Sequence, residues 1–281
     1  MKLSEKAMLV HISGHMWTGR RKNKNVARNV CVQENAEKDV IDVIVNLVPP
    51  SELQPISQAR SRVDIVFKRM TLPWMDGGLR ILPSAMYMEY REKMKEPIAK
   101  YNKAVDTFAK RYPDLVANAP KRLGNLAAGM MLPTTADIEH RFRIEQDILP
   151  LPTIADFRID AGDAEAKEIK EQAMASLEAS MQRSVQDVWG RLSDLVGSVV
   201  ETLSQPDKKF RDSLITKLKN FCTLIPKFNI TDNADLEKVR QDVMSKLAEL
   251  DPEDLREIPN NRKKAAKDAV NVFTKICNHI K

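Results

Sequence analysis

Residues 169–203 read IKEQAMASLEASMQRSVQDVWGRLSDLVGSVVETL, and apolar side chains recur in them every three or four positions. This spacing places the apolar side chains along one side of an α-helix. The pattern begins beyond Gly162 and predicts one helix of about 40 residues. The predicted apolar stripe consists of Ile169, Ala173, Leu177, Met181, Val185, Val188, Leu192, Leu195, Val199 and Leu203.

Shorter helices are predicted to follow the long one, near residues 207–222, 233–250 and 260–280. Together they predict a C-terminal helical bundle over residues 161–281. The apolar stripe has two interpretations: it forms the internal core of this bundle, or it forms a coiled-coil surface between protomers. Because a helix of this length exceeds the diameter of a small domain, we expect the protein to form a homo-oligomer.

The first 160 residues show mixed patterns and predict an N-terminal α-rich domain. Residues 7–17 combine β-branched and other apolar side chains, which predicts a short extended segment. A second extended component is expected at 140–160, where prolines interrupt the chain. The sequence therefore predicts a mainly α protein with a small β component and a domain boundary near residue 160. The remaining predicted elements are helices over 51–70 and 84–112, a loop over 71–83, a kink or break at Pro97, and short pieces separated by Pro113, Pro120, Pro133, Pro150 and Pro152.

The composition agrees with helices that have solvated faces. The chain has 281 residues, of which 43% are hydrophobic and 30% are charged, with only nine glycines. Cys31, Cys222 and Cys277 are odd in number and far apart, which favours reduced, buried thiols over a disulfide framework. The sequence contains no apolar run of transmembrane length and no signal-peptide pattern, so we expect a cytoplasmic protein that does not enter a membrane.

Positive charge is concentrated in one early stretch, GRRKNKNVAR at residues 19–28. Residues 1–30 contain seven Lys or Arg and one acid, so they account for the whole net charge of +6. Basic side chains interleaved with asparagines are suited to phosphate oxygens, and Trp17 just upstream offers a ring for stacking on a base. The alternatives are a solvated basic loop, pairing with acidic helices of the same fold, or an acidic protein partner. The basic residues of this stretch are Arg20, Arg21, Lys22, Lys24 and Arg28.

The sequence contains none of the motifs that carry catalysis in the common enzyme classes. We find no nucleophile elbow, phosphate-binding loop, dinucleotide fingerprint or paired-histidine zinc motif. His11 and His15 lie four residues apart without further ligands and make a poor metal site. Asp76 precedes two glycines and is typical of a turn, while Trp74 is either a core residue or a stacking platform. We therefore expect a protein that is not an enzyme and has no cofactor or metal.

Four segments together resemble a family of uncharacterised proteins carried by bacteriophages and some bacteria. The segments are SGHMWTGRRKNKNVARNV at 13–30, TLPWMDGGLRILPSAMYMEYREKM at 71–94, YPDLVANAPKRLGNL at 112–126 and LPLPTIADFRI at 149–159. The resemblance covers about the first 160 residues. The genes of this family lie near those of MoxR-type AAA ATPases and von Willebrand A domain proteins. The resemblance implies a bacteriophage origin and residence in the bacterial host cytoplasm, and it carries over no catalytic residues. The positions that match the family pattern are Trp17, Gly19, Arg20, Lys24, Pro73, Trp74, Asp76, Gly78, Arg80 and Pro83, with Arg21 where a lysine is usual.

The combined interpretation is a non-enzymatic bacteriophage accessory protein that acts by binding and oligomeric assembly. Its partner is expected to be a MoxR-type AAA ATPase or nucleic acid. One alternative is a phage single-stranded DNA-binding or annealing protein, and a further alternative is a virion structural protein. The expected contacts with nucleic acid or an acidic partner are Trp17, Arg20, Arg21, Lys22, Lys24, Arg28, Trp74 and Arg80.

Overall fold

The computed structural model describes residues 3–127, 131–152, 163–205 and 210–280. Over these residues the protein is 69% helical, with nine helices and a small antiparallel sheet, which confirms the mainly α prediction. The helices are α1 (Leu3–Lys6), α2 (Lys24–Gln33), α3 (Pro50–Met70), α4 (Tyr87–Leu123), α5 (Asp163–Ser204), α6 (Asp212–Phe228), α7 (Ala234–Val243), α8 (Pro252–Glu257) and α9 (Pro259–Cys277). The strands are β1 (Ala7–Met16), β2 (Arg20–Lys22), β3 (Ile44–Asn46), β4 (Leu72–Pro73), β5 (Arg80–Pro83) and β6 (Phe142–Pro150).

Residue contacts group the described chain into two compact units. The N-terminal unit consists of Ile12–Arg69 and Glu89–Asp147. The C-terminal unit consists of Met1–His11, Met70–Met88 and Ile148–Lys281. The sequence predicts one division near residue 160, a position outside the described residues, so that boundary stays a prediction. The structure differs in joining Met70–Met88 to the C-terminal helices.

The predicted long helix is confirmed as α5, which has 42 residues. Its second half packs against α6 and α9. Gly197 allows a close approach there, because a Cβ at this position would lie 3.2 Å from Cε2 of Phe273 on α9. Four members of the predicted stripe, Val188, Leu192, Val199 and Leu203, are buried, whereas Leu195 and the members before Val188 are only half-buried. The buried apolar side chains of this half are Val188, Trp189, Leu192, Val196, Val199 and Leu203.

The loop predicted over residues 71–83 is a short hairpin of β4 and β5. Gly77 and Gly78 have φ of 84° and 87°, values that glycine adopts without steric cost, which confirms the predicted turn. The hairpin is fixed to α5 by the Ser184 hydroxyl, which donates to the Pro73 carbonyl at 2.5 Å. Strand β1 pairs antiparallel with β5 of the hairpin, so that Ala7 lies opposite Pro83 and Val10 lies opposite Arg80. The full strand order is β4-β5-β1-β6.

Helix α4 is longer than the sequence predicts. The prediction ended it near Tyr112 and placed short pieces beyond Pro113 and Pro120, and this was wrong. Pro97 also lies inside the helix without splitting it. A proline inside a helix costs roughly 3 kcal/mol. We attribute the continuity of α4 to its apolar face, which is buried both before and after the prolines. The buried side chains from residue 101 onwards are Tyr101, Val105, Phe108, Ala109, Tyr112, Ala119 and Leu123.

The cysteine prediction is confirmed for two residues and wrong for the third. Cys31 and Cys222 are buried, and burial raises the pKa of the Cys222 thiol to about 12. Cys277 is exposed. It ends α9 directly after the fully buried Ile276, and neighbouring helical residues point about 100° apart, so Cys277 is directed away from the core.

The other sequence predictions are mostly confirmed in type and shifted in bounds. The extended segments at 7–17 and 140–160 correspond to β1 and β6, although residues 153–160 lie outside the described part of the chain. The predicted helix over 51–70 is α3, which tolerates Pro55 close to its start. The three predicted C-terminal helices correspond to α6, to α7 with the π-helical turn Met244–Ala248, and to α9. The short helix α8 was missed.

Candidate nucleic-acid interface

The basic stretch forms a strand and the start of a helix in the N-terminal unit. Strand β2 pairs antiparallel with β3, so that Arg20 lies opposite Asn46 and Lys22 opposite Ile44. Gly19 precedes the strand with a φ of 65°, and its carbonyl accepts a hydrogen bond from Leu47 N at 2.7 Å. Since side chains alternate along a strand, Arg20 and Lys22 share one face and Arg21 lies on the other.

Helix α2 starts immediately after β2 because Asn23 caps it. The Asn23 side chain accepts a hydrogen bond from Val26 N at 3.1 Å. Ala27 and Cys31 bury one side of the helix, while Lys24 and Arg28 are exposed and one turn apart. Four-residue spacing places those two cations on the same face.

The charge arrangement of α2 is unfavourable for the isolated helix. A helix N-terminus carries a partial positive charge, which acidic side chains normally compensate. Helix α2 instead begins with Lys24 and has no acidic residue along its length. An anion bound there would relieve this repulsion.

The five basic residues differ in what they contact. Lys22 forms an ion pair with Asp42 at 2.5 Å, and Arg21 Nη1 donates to the Met131 carbonyl at 3.4 Å. Arg20, Lys24 and Arg28 are exposed and form no ion pair with any described residue. Lys22 therefore pairs with an acid of its own fold, but Asp42 lies between α2 and β3, whereas the interpretation from the sequence assumes acidic helices. The other three cations are available to an external anion.

Trp17 is a core residue with one edge near the surface. Only 9% of the side chain is exposed. Its ring meets Tyr112 edge-on with centroids 5.9 Å apart and lies 6.3 Å from Phe108. With so little of the residue exposed, the ring has too little accessible area to stack on a base.

Trp74 and Arg80 belong to the C-terminal unit and are not grouped with the basic stretch. Trp74 is fully buried, so its ring cannot stack on a base. Arg80 is half-buried and donates through Nε to Thr71 Oγ1 at 2.6 Å and through Nη2 to the Thr71 carbonyl at 3.0 Å. Burial, and next the charge of Arg191, lower the Arg80 pKa to about 10, although Asp187 opposes this.

Arg191 completes a polar cluster around that carbonyl. Its Nη2 donates to the Thr71 carbonyl at 2.8 Å, and its Nε lies 2.6 Å from Asp187 Oδ2. Burial raises the pKa of Asp187, against the nearby charges of Arg191 and Arg80. These contacts connect α5 to the start of the hairpin, so we assign Arg80 a structural role.

A cavity of about 510 Å³ lies beside Arg20. Its apolar lining includes Met16, Trp17, Val48 and Leu53. Polar residues line it as well, and the first turn of α3 contributes Pro50, Ser51 and Leu53. The volume falls within the roughly 300–1,000 Å³ typical of sites for small ligands. The polar lining residues are Thr18, Arg20, Asn46, Ser51, Gln54 and Ser57.

Sequence reasoning missed the partners of Arg20 in this cavity. Asn46, Ser51 and Gln54 are 26 to 34 positions away in sequence, and their types are common at any surface. Only the pairing of β2 with β3 and the position of α3 bring them to Arg20. Over the described residues, no group of three or more His, Cys, Asp or Glu is placed to hold a metal ion. In the same part of the chain, no helix is long and apolar enough to span a bilayer.

No protein-family model, curated protein or solved structure matches the chain. The resemblance to the bacteriophage family therefore stays a prediction from the residues that carry it.

Proposed function

We propose that the protein is a non-enzymatic binding protein whose N-terminal unit contacts the phosphate backbone of nucleic acid. The supporting observation is the exposed cluster of Arg20, Lys24 and Arg28, which no carboxylate among the described residues neutralises. Backbone contacts of this kind depend on charge and do not need a stacking ring. The burial of Trp17 is therefore compatible with the proposal.

An acidic protein surface is a second candidate partner, because one exposed carboxylate already binds this face. Asp42 holds Lys22 at 2.5 Å, which illustrates how an external carboxylate would bind the neighbouring cations. The MoxR-type AAA ATPase implied by the resemblance would be such a partner. A bacteriophage accessory role, the host cytoplasm and homo-oligomeric assembly belong to the same proposal and rest on the sequence.

The test is fluorescence anisotropy of a labelled oligonucleotide titrated with the full-length protein at several salt concentrations. Each phosphate contact contributes a log-log salt slope of about −0.7 on a single strand. A variant with Arg20→Gln, Lys24→Gln and Arg28→Gln should therefore bind more weakly and lose about 2 from the magnitude of the slope. Glutamine has nearly the helix propensity of Lys24 and Arg28, and the Arg20 side chain on β2 is exposed, so the fold should not change.

The matched control removes the same charge from the first turns of α4. Arg91→Gln, Lys93→Gln and Lys95→Gln alter exposed residues of the same unit, two of which are paired with Glu89 and Glu92. This control should bind like the wild type. Absence of wild-type binding at about 50 mM salt would overturn the nucleic-acid proposal. Equal losses in both variants would show that net charge alone is responsible.

A further inference from the structure

The first turn of α3 has a cavity on each side, and Ser51 lines both. The larger cavity is the one beside Arg20. The smaller has a volume of about 260 Å³ and lies between α3 and α4. Because one residue contributes to both walls, the two cavities follow each other across a single helical turn. The other residues of the smaller cavity are Glu52, Pro55, Lys100, Lys103, Ala104, Thr107, Phe108 and Arg111.

The smaller cavity is basic. Two of its three cations are compensated, since Arg111 pairs with Glu52 at 2.9 Å and Lys100 with Glu96 at 2.6 Å. Lys103 is exposed and forms no ion pair with any residue that the structure describes. Within the described part of the chain, Lys103 is therefore the unpaired cation that lines the smaller cavity, and Arg20 is the unpaired cation that lines the larger one.

The wall shared with the basic stretch is closely packed. A Cβ at Gly19 would lie 2.7 Å from Cδ1 of Leu53 and 3.0 Å from Cγ2 of Val48. The backbone just before Arg20 thus rests directly on two residues that line the larger cavity. This contact fixes the base of the Arg20 side chain at the rim.

We infer that a single strand of nucleic acid crosses the first turn of α3, with phosphates at Arg20 and at Lys103. The inference rests on the proposed function and adds a path and a second contact point that the basic stretch does not contain. The larger cavity has the size and apolar walls to take a base, and the smaller one takes backbone. A flexible single strand can enter two successive concavities, whereas the phosphates of a stiff duplex cannot.

The experiment measures binding of a labelled oligothymidylate to full-length Lys103→Gln as a function of salt. The slope should lose about 0.7 in magnitude, and Lys103→Arg should retain the wild-type slope. Lys95→Gln is the matched control, because it removes one exposed lysine from the same helix at a position outside both cavities. The double variant Arg20→Gln with Lys103→Gln should lose about twice as much slope as either single variant.

The outcomes separate this inference from the proposed function. If the wild type binds and Lys103→Gln behaves like Lys95→Gln, the path across α3 is wrong and the proposed function stands. If a duplex of the same length binds as tightly as the single strand, the single-stranded ligand is wrong. If the wild type does not bind at all, both proposals fail.

Discussion

Two buried tyrosines of α4 allow a test of how polar groups contribute to stability in the N-terminal unit. Tyr101 and Tyr112 are 1% and 0% exposed. The Tyr112 hydroxyl donates to the Pro133 carbonyl at 3.0 Å. The Tyr101 hydroxyl has no hydrogen-bond partner among the described residues. Replacing either by phenylalanine removes the same atom from two different environments.

The expected changes in the free energy of unfolding have opposite signs. A buried hydroxyl without a partner costs about 1 kcal/mol or more, so Tyr101→Phe should stabilise the protein by about 1 kcal/mol. Tyr112→Phe loses a hydrogen bond worth about 1 kcal/mol and leaves the Pro133 carbonyl without that donor, so it should destabilise the protein. The two variants should therefore differ by about 2 kcal/mol.

Urea unfolding followed by tryptophan fluorescence and by far-UV circular dichroism measures this difference. Trp17 lies in the same unit as both tyrosines, so its emission reports on their environment. If Tyr101→Phe destabilises the protein as much as Tyr112→Phe, the Tyr101 hydroxyl has a partner and the reasoning is refuted.

The pH dependence of Tyr112→Phe provides a second measurement. Burial raises the pKa of Tyr112 from 10.0 to about 12, against the charge of Arg141. Between these values the folded state keeps a proton that the unfolded state has released, so this contribution to stability is complete below about pH 10 and is lost as the pH rises through about 12. The stability advantage of the wild type over Tyr112→Phe should shrink across that window. A constant difference would contradict the assignment.

Two predictions concern α5 in the C-terminal unit. Leu192→Asp should destabilise the protein by about 4 kcal/mol, because it removes a fully buried apolar side chain and buries a charge. The control Ser198→Asp, on the exposed side of α5, should change the free energy of unfolding by less than about 1 kcal/mol. Equal thermal unfolding of the two variants would show that Leu192 is not in the core. Gly190→Ala should stabilise the protein by about 1 kcal/mol, because, apart from its chain neighbours and the adjacent helix backbone, no atom of the described residues lies within 4 Å of the new Cβ. Gly197→Ala should gain less than Gly190→Ala, since Phe273 must move, and an equal gain would show that the α5–α9 contact yields without cost.

Periodic elements could be predicted from the sequence, and elements set by distant contacts could not. Helix α5 follows from its apolar spacing, because helical geometry alone relates that spacing to one face. Helix α4 was ended too early because the local cost of Pro113 is visible in sequence, whereas the burial of Tyr112, Ala119 and Leu123 that offsets it depends on the rest of the unit. Local propensity and tertiary packing disagree there, and packing decides.

The candidate site shows the same division. The concentration of charge at residues 19–28 is a local property, and the structure places all five cations at the surface. Which of them is neutralised depends on Asp42, which reaches Lys22 from 20 positions away. Lys103 could not be identified from the sequence, because exposed lysines are common on helices. Only the fold places it in the same cavity lining as Ser51 at the start of α3.

The interleaved composition of the two units has consequences for synthesis on the ribosome. The last residue of the N-terminal unit is Asp147, so this unit can fold while the chain is still growing. The C-terminal unit includes β4, β5 and the first part of β1, which are translated long before α5 to α9. Leu72 of β4, which is buried in the finished protein, is therefore made long before α5, the helix that contacts this strand. For the same reason, cutting the gene near codon 160 would deprive the C-terminal helices of the hairpin that is hydrogen-bonded to α5 through Ser184 and Pro73.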